Sequence, residues 1–232
     1  MFFDPQYLMW MLPAIAVAAV ASIYTQSTFS RFSKRSSRFG YTGAEAARAL
    51  LDANGLSDVR IQQVGGFLSD HYDPMTRTLR LSPPVYGSTS LSAIGVACHE
   101  AGHAIQHASH YAPLALRTAL VPAAQLGSYL SYIVFALGLM LSSFAMVKLG
   151  IILFSATVAF ALVTLPVEWN ASSRAKFLMV QNGIVTSDEA PYAAKVLNAA
   201  FLTYVAALFS SLMTLLYFLA RAGLLGGGDR RR

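Results

Sequence analysis

The pattern best able to do chemistry is His99-Glu100-Ala101-Gly102-His103. On an α-helix, residues i and i+4 share a face one turn apart, so both imidazoles can reach one zinc ion at about 2.0–2.1 Å. Glu100 points about 100° round the helix from His99, beside the metal without having to bind it. A general base must sit there to take a proton from water activated by the metal. With five histidines and four glutamates in the chain, chance supplies this pattern about 0.002 times per chain of this composition. Two surface histidines and a solvated glutamate would be the plain alternative. It fits poorly, because Ile94, Val96, Ala97, Ala101, Ala104 and Ile105 surround the motif, and polar groups in such company need partners.

A catalytic zinc takes three protein ligands and keeps one position open. Between Asp73 and Asp188 the chain has two acids, Glu100 and Glu168. Glu168 follows two consecutive apolar stretches, which cross a bilayer twice and return the chain to the side of His99 and His103. Glu168 is therefore the expected third ligand, against a solvated helix start or a salt-bridge partner for Arg174. Asp188 and Glu189, between Ser187 and Pro191, read as acids stabilising the first turn of the last helix. His107 lies one further turn along and fans away by about 40°. It reads as a surface histidine or as a group supporting the transition state. Ser109 stands where a third histidine ligand would be needed, which excludes the three-His class. His71 and His110 have no metal spacing, and Cys98 reads as a small packed residue.

The elements that must position these groups are mostly membrane helices. Of the 232 residues, 55% are apolar and 12% charged, and mean hydropathy is +0.50. Soluble domains carry about 25% charged residues, which argues against a soluble globular chain and excludes a disordered one. A single cysteine excludes a disulfide framework and a Cys-based zinc finger. Four apolar stretches have the ~20 residues a crossing needs: about Tyr7–Tyr24, Ala123–Met146, Leu149–Val167 and Ala200–Ala220. Lys148 marks the break between the second and third.

Asp4 precedes the first stretch and Arg31, Lys34, Arg35 and Arg38 follow it, which reads as an uncleaved anchor with its N-terminus outside. Segments 25–122 and 168–199 then share the inner side with twelve Lys and Arg, against five on the other side. That bias places the site on the cytoplasmic face. The net charge of +6 is explained by the same bias, and nothing resembles a nucleic-acid-binding motif. Gly226–Gly228 reads as a flexible tether before Arg230–Arg232.

Between the first two spans, Thr42-x-x-Glu45 is a capping box opening a helix that Gly55 closes. Val59–Val64 and Phe67–Asp70 read as strands, Asp73-Pro74 as a turn, and Thr78–Leu81 as the strand returning from it. Pro83-Pro84 breaks the chain before a helix over Ser90–Ser109, ended by Pro113. The expected fold is mostly α and multi-pass, with about four transmembrane helices and a small α+β zincin-like catalytic portion. Its segments are an anchor (1–24), a water-facing portion with the H-E-x-x-H helix (25–122), a transmembrane hairpin (123–167), a third-ligand segment (168–199), and a last span with a basic tail (200–232).

The runs Gly65–Pro74 (GGFLSDHYDP), Leu79–Ser82 (LRLS), His99–His107 (HEAGHAIQH) and Leu165–Arg174 (LPVEWNASSR) resemble the YugP-type bacterial membrane zinc metallopeptidases. The similarity covers nearly the whole chain after the first span. It implies a multi-pass neutral zinc peptidase of a bacterial inner membrane, distantly similar to the HtpX and CAAX-processing membrane proteases. In those relatives the third ligand is the Glu of an E-x-x-A-D pattern. Here Glu168-Trp169-Asn170-Ala171-Ser172 keeps Glu and Ala and carries Ser172 in place of Asp.

The expected function is a membrane endopeptidase with one zinc per chain, held by His99, His103 and Glu168, with Glu100 as base. The bilayer and a protein or peptide substrate are its partners. Oxyanion help is open to His107, Asn170, Arg174 or a tyrosine, and Thr78–Leu81 is a candidate edge for pairing an extended substrate. A site-2-type intramembrane protease would need a distal Asp-Gly pair, which is absent. A scaffold keeping zinc structurally would have no use for Glu100.

Overall fold

The computed structural model describes residues 5–66 and 69–224. Among the described residues, four helices are long and apolar enough to cross a membrane: α1 (Pro5–Phe32), α5 (Ala112–Met140), α6 (Phe144–Gln181) and α7 (Ala190–Arg221). The chain forms two compact units, and each long helix contributes a stretch to both. The expected multi-pass, mostly helical architecture with a small sheet is thus the observed one.

The first unit comprises Met1–Val20, Leu116–Leu165 and Tyr204–Arg232. Phe135 and Phe218 stack at its core with ring centres 4.0 Å apart, flanked by Val147, Phe154, Val158 and Tyr217. The break expected at Lys148 falls earlier, at Leu141–Ser143. Ser142 takes a left-handed φ of 51°, and the Ser143 N–H caps the Gly138 carbonyl at 2.8 Å. Lys148 instead lies inside α6, its ammonium 4.5 Å from the Phe144 ring centre. The run Arg230–Arg232 lies outside the described residues.

The second unit comprises Ala21–Ala115 and Pro166–Thr203. Helix α2 (Gly43–Ala53) opens on the expected capping box. Thr42 Oγ1 accepts from the Glu45 N–H at 3.2 Å, and Glu45 Oε2 accepts from the Thr42 N–H at 2.9 Å. The Thr42 N–H and hydroxyl, both donating to that carboxylate, lower the Glu45 pKa. Gly55, at φ 73°, closes the helix as its left-handed C-terminal residue. The buried side chains Ala46, Ala47, Leu50 and Leu51 pack on α4 (Leu91–Ala108), which Ser90 caps at its N-terminus. His110, at φ 51°, turns the chain out of α4. Pro113 belongs to the first turn of α5, where proline is tolerated. Pro83-Pro84 likewise starts a short helix, α3 (Pro83–Tyr86).

Three short strands complete this unit: β1 (Arg60–Gln63), β2 (His71–Asp73) and β3 (Thr78–Leu81). Their order is β1-β3-β2, with β3 parallel to β1 and antiparallel to β2. The central position of β3 buries Thr78, Leu79 and Leu81. It also overturns β3 as a substrate-pairing edge, because both its sides are occupied. The second strand, expected over Phe67–Asp70, starts at His71. Phe67 and Leu68 lie outside the described residues, and Asp70 is spent on the Ser82 backbone N–H at 2.7 Å.

The β2–β3 turn is tied by Asp73, which accepts from the Met75 N–H at 2.9 Å and from the Arg80 guanidinium at 2.7 Å. The Arg80 bond and the Thr76 hydroxyl hold the Asp73 pKa well below the usual carboxylate range. A depressed folded pKa means stabilisation that is complete above the unfolded value, near ~3.9, and lost as pH falls through the folded value. Protection of the β2 and β3 amides, measured against their intrinsic exchange rates, should therefore hold down to about pH 4 and fall below it. Asp73→Asn should remove that dependence and loosen the hairpin by about 1 kcal/mol or less.

Candidate metal centre

His99 and His103 project from one side of α4, as their spacing requires. Glu168 comes to them on α6, just past Pro166 and Val167. Their ligand atoms all lie within 4.8 Å of one another, and all three residues are buried. Glu168 Oε2 stands 3.2 Å from His99 Nε2 and 3.6 Å from His103 Nε2. Two ligands bound to one tetrahedral zinc at 2.0–2.1 Å are about 3.3 Å apart, so the spacing fits the ion.

Gly102 makes this approach possible. A Cβ there would lie 2.7 Å from the Ala171 carbonyl oxygen, well inside ordinary contact. Only a residue without a side chain lets α4 lie so close to α6. Gly102→Ala should push Glu168 back by a few tenths of an ångström or more. A tenfold or greater loss of zinc affinity is expected, measurable by competition with a chromogenic chelator.

Behind the donors, hydrogen bonds hold both imidazoles and set which nitrogen of His103 carries the proton. Gln106 Nε2 donates to the Val167 carbonyl at 2.8 Å and to Asn170 Oδ1 at 3.0 Å. Its Oε1 must then be the atom 2.9 Å from His103 Nδ1, so Nδ1 carries the proton and Nε2 presents its lone pair. Arg174 Nε donates to the same Asn170 oxygen at 2.8 Å. On the other histidine, Ser172 Oγ is 3.1 Å from His99 Nδ1. A hydroxyl thus stands where the related pattern has a carboxylate.

Lone pairs and a carboxylate turned toward one another in a buried space call for a cation, which is the strongest sign that a metal fits. Burial disfavours charging His103, yet hydrogen bonding and attraction from Glu168, with Glu100 and Gln106 assisting, raise its pKa above the ordinary value. In the absence of metal, a proton answers the same demand. Gln106→Leu should lower zinc affinity by about 10–100-fold with little change in fold, again by chelator competition.

Glu100 is buried and stands apart from the three-donor cluster. Its Oε2 accepts from the Tyr72 N–H on edge strand β2 at 3.1 Å. The Tyr72 hydroxyl lies 3.0 Å from His107 Nδ1. Glu100 and His107, seven residues apart, share one line along α4, and Tyr72 spans between them. Asn170 and Arg174 turn instead to Gln106 and support His103.

Asp188 is taken up by Arg38 at 2.7 Å. Glu189 accepts from the Arg38 N–H at 2.9 Å and the Thr186 N–H at 3.0 Å. Cys98 is fully buried, and burial pushes its thiol up to about 12, leaving it an inert packing residue. Sequence reasoning missed Gln106, Tyr72 and the hydroxyl of Ser172. Gln106 carried a signal as an amide about one turn beyond His103, and Ser172 carried one as the departure from the related E-x-x-A-D pattern.

A family model described as "Putative neutral zinc metallopeptidase" matches residues 7–223. The chain is 52% identical over 179 residues to the "Putative membrane protease YugP" of Bacillus subtilis (strain 168), which covers 77% of this chain and 80% of that protein. No solved structure matches it. With the match extending from the first apolar helix to the end of the last, the chain belongs to the neutral zinc metallopeptidase family, as a membrane protein.

Proposed function

We propose that the chain is a zinc endopeptidase, with one ion held by His99, His103 and Glu168 and with Glu100 as general base. The observation that carries this reading is the convergence of the three donors beside a fourth, separately held carboxylate. A bound zinc ion would supply Lewis-acid chemistry there, polarising a scissile carbonyl and easing deprotonation of water. The Tyr72 N–H aims the Glu100 carboxylate, which takes the proton of the attacking water and passes it to the leaving amine. Gln106 and Ser172 hold the two imidazoles in orientation.

The oxyanion role falls to His107, with Tyr72 as its support. Burial raises the Tyr72 pKa, so the phenol stays protonated at neutral pH. When it donates to Nδ1, the imidazole carries its own proton on Nε2 and offers it to the developing charge. The twelve-to-five basic count supports a cytoplasmic site. Cysteine labelling at Ser57 and Ser187 tests the side, since ready labelling of both from outside intact cells reverses it.

The function itself is tested with purified full-length chain in detergent and an unfolded protein such as casein. Cleavage should stop on chelation and return with zinc. A chain that binds zinc and leaves casein and other unfolded proteins intact would instead be a scaffold.

A further inference from the structure

Of the basic residues in the second unit, Arg38, Arg48, Arg77 and Arg80 each meet an aspartate at 2.7–3.0 Å. Arg31, Lys34, Arg35 and Lys195 are exposed and form no ion pair among the described residues. Three of them gather over two touching rings. Phe32 and Tyr192 have ring centres 5.5 Å apart. Arg31 lies 5.6 Å over Phe32, Arg35 lies 4.5 Å over Tyr192, and Lys195 lies 5.9 Å from that same ring. The rings hold the cations without neutralising them.

The depth of this cluster is set by a hydrogen bond between helices. Thr25 Oγ1 donates to the Ala199 carbonyl at 2.8 Å, which puts those two residues at one level. In both helices that level is where the apolar run stops: Thr25-Gln26 follows Tyr24 on α1, and Asn198 precedes Ala199 on α7. At 1.5 Å per residue, Lys195 lies about 6 Å and Arg31 about 9 Å beyond it. The headgroup layer occupies roughly 5–8 Å outside the hydrocarbon on each side, and long basic side chains reach across that difference.

We propose that Arg31, Arg35 and Lys195, on the Phe32–Tyr192 platform, bind the phosphate of an anionic phospholipid headgroup. The occupant is a lipid of the adjoining leaflet because the cations sit at phosphate depth and meet no acid among the described residues. The site adjoins the start of the metal-centre helix. The Arg35 carbonyl accepts from the Leu91 N–H at 2.8 Å, and Ser36 pairs with Ser90. An occupied headgroup site would therefore steady the stretch of chain that anchors the beginning of α4.

The full chain in detergent micelles is titrated with phosphatidylglycerol or with phosphatidylcholine, and bound lipid is counted by native mass spectrometry. Phosphatidylglycerol should bind at least tenfold more tightly, and less so as salt rises. Each cation removed should cost about fivefold, so Arg35→Gln/Lys195→Gln should lose about 25-fold. Arg35→Lys/Lys195→Arg, which keeps both charges, should retain binding, and so should Arg60→Gln, which removes a basic residue elsewhere. Glu100→Gln should bind lipid like wild type, so this result stands apart from the peptidase reading.

Equal retention of the two lipids would overturn the site. So would an equal loss in Arg60→Gln, which would mean diffuse attraction to net charge. Displacement of the lipid by millimolar inorganic phosphate would overturn the lipid assignment in favour of a free anion, and displacement by a soluble acidic peptide would overturn it in favour of a protein partner.

Discussion

Glu100→Gln protein should bind as much zinc as wild type and cleave an unfolded substrate 10²–10⁴-fold more slowly, the range a positioned general base contributes. The expectation follows from where the carboxylate is held. It lies outside the three-donor cluster, so the ion loses no ligand. An amide oxygen can still accept the Tyr72 N–H now bonded to Oε2, so β2 keeps its place beside α4. What the amide cannot do is take up a proton. Zinc analysis and a cleavage assay on the same preparation decide the matter. Activity within tenfold of wild type would remove Glu100 as the base.

Glu168→Ala should show the opposite pattern, with metal and activity lost together. Two neutral imidazoles would remain, each still oriented by Gln106 or Ser172, with no negative charge in the buried space between them. The loss of affinity should exceed the ~10–100-fold typical of a supporting partner. No rescue is expected from Asp188 or Glu189, because both are engaged around Arg38 and Thr186. Elemental analysis after gel filtration gives the result. Full zinc content in this variant would overturn the assignment of Glu168 and reopen the search for a third donor.

The metal-facing part of the site was legible because its determinants are periodic or scarce. His99 and His103 follow from the helical repeat, and Glu168 from the shortage of acids between Asp73 and Asp188. The rest depends on contacts that no pattern records. The hairpin signal at Asp73-Pro74 predicted that β2 and β3 pair, but not that β1 adds on the far side of β3 and takes away its free edge. Tyr72 fell between the expected strand Phe67–Asp70 and the turn at Asp73-Pro74, with no role assigned to it. Only the pairing order reveals that its N–H leaves the sheet and reaches Glu100. Nothing in the motif's spacing marks Gly102, whose missing side chain matters only because the Ala171 carbonyl lies against it. At Ser172 a hydroxyl does for His99 what the related pattern assigns to a carboxylate.

The order of the three donors along the chain has a consequence for biosynthesis. His99 and His103 are made before α5 and the apolar part of α6, and Glu168 is made after them. A nascent chain that has not yet completed the α5–α6 hairpin has two of the three donors and cannot close the site. The third arrives only when α6 has been made as far as Glu168 and Ala171 lies against Gly102. On the proposed peptidase reading, a chain whose α6 is incomplete would lack the closed site, and cleavage would wait for the α5–α6 hairpin.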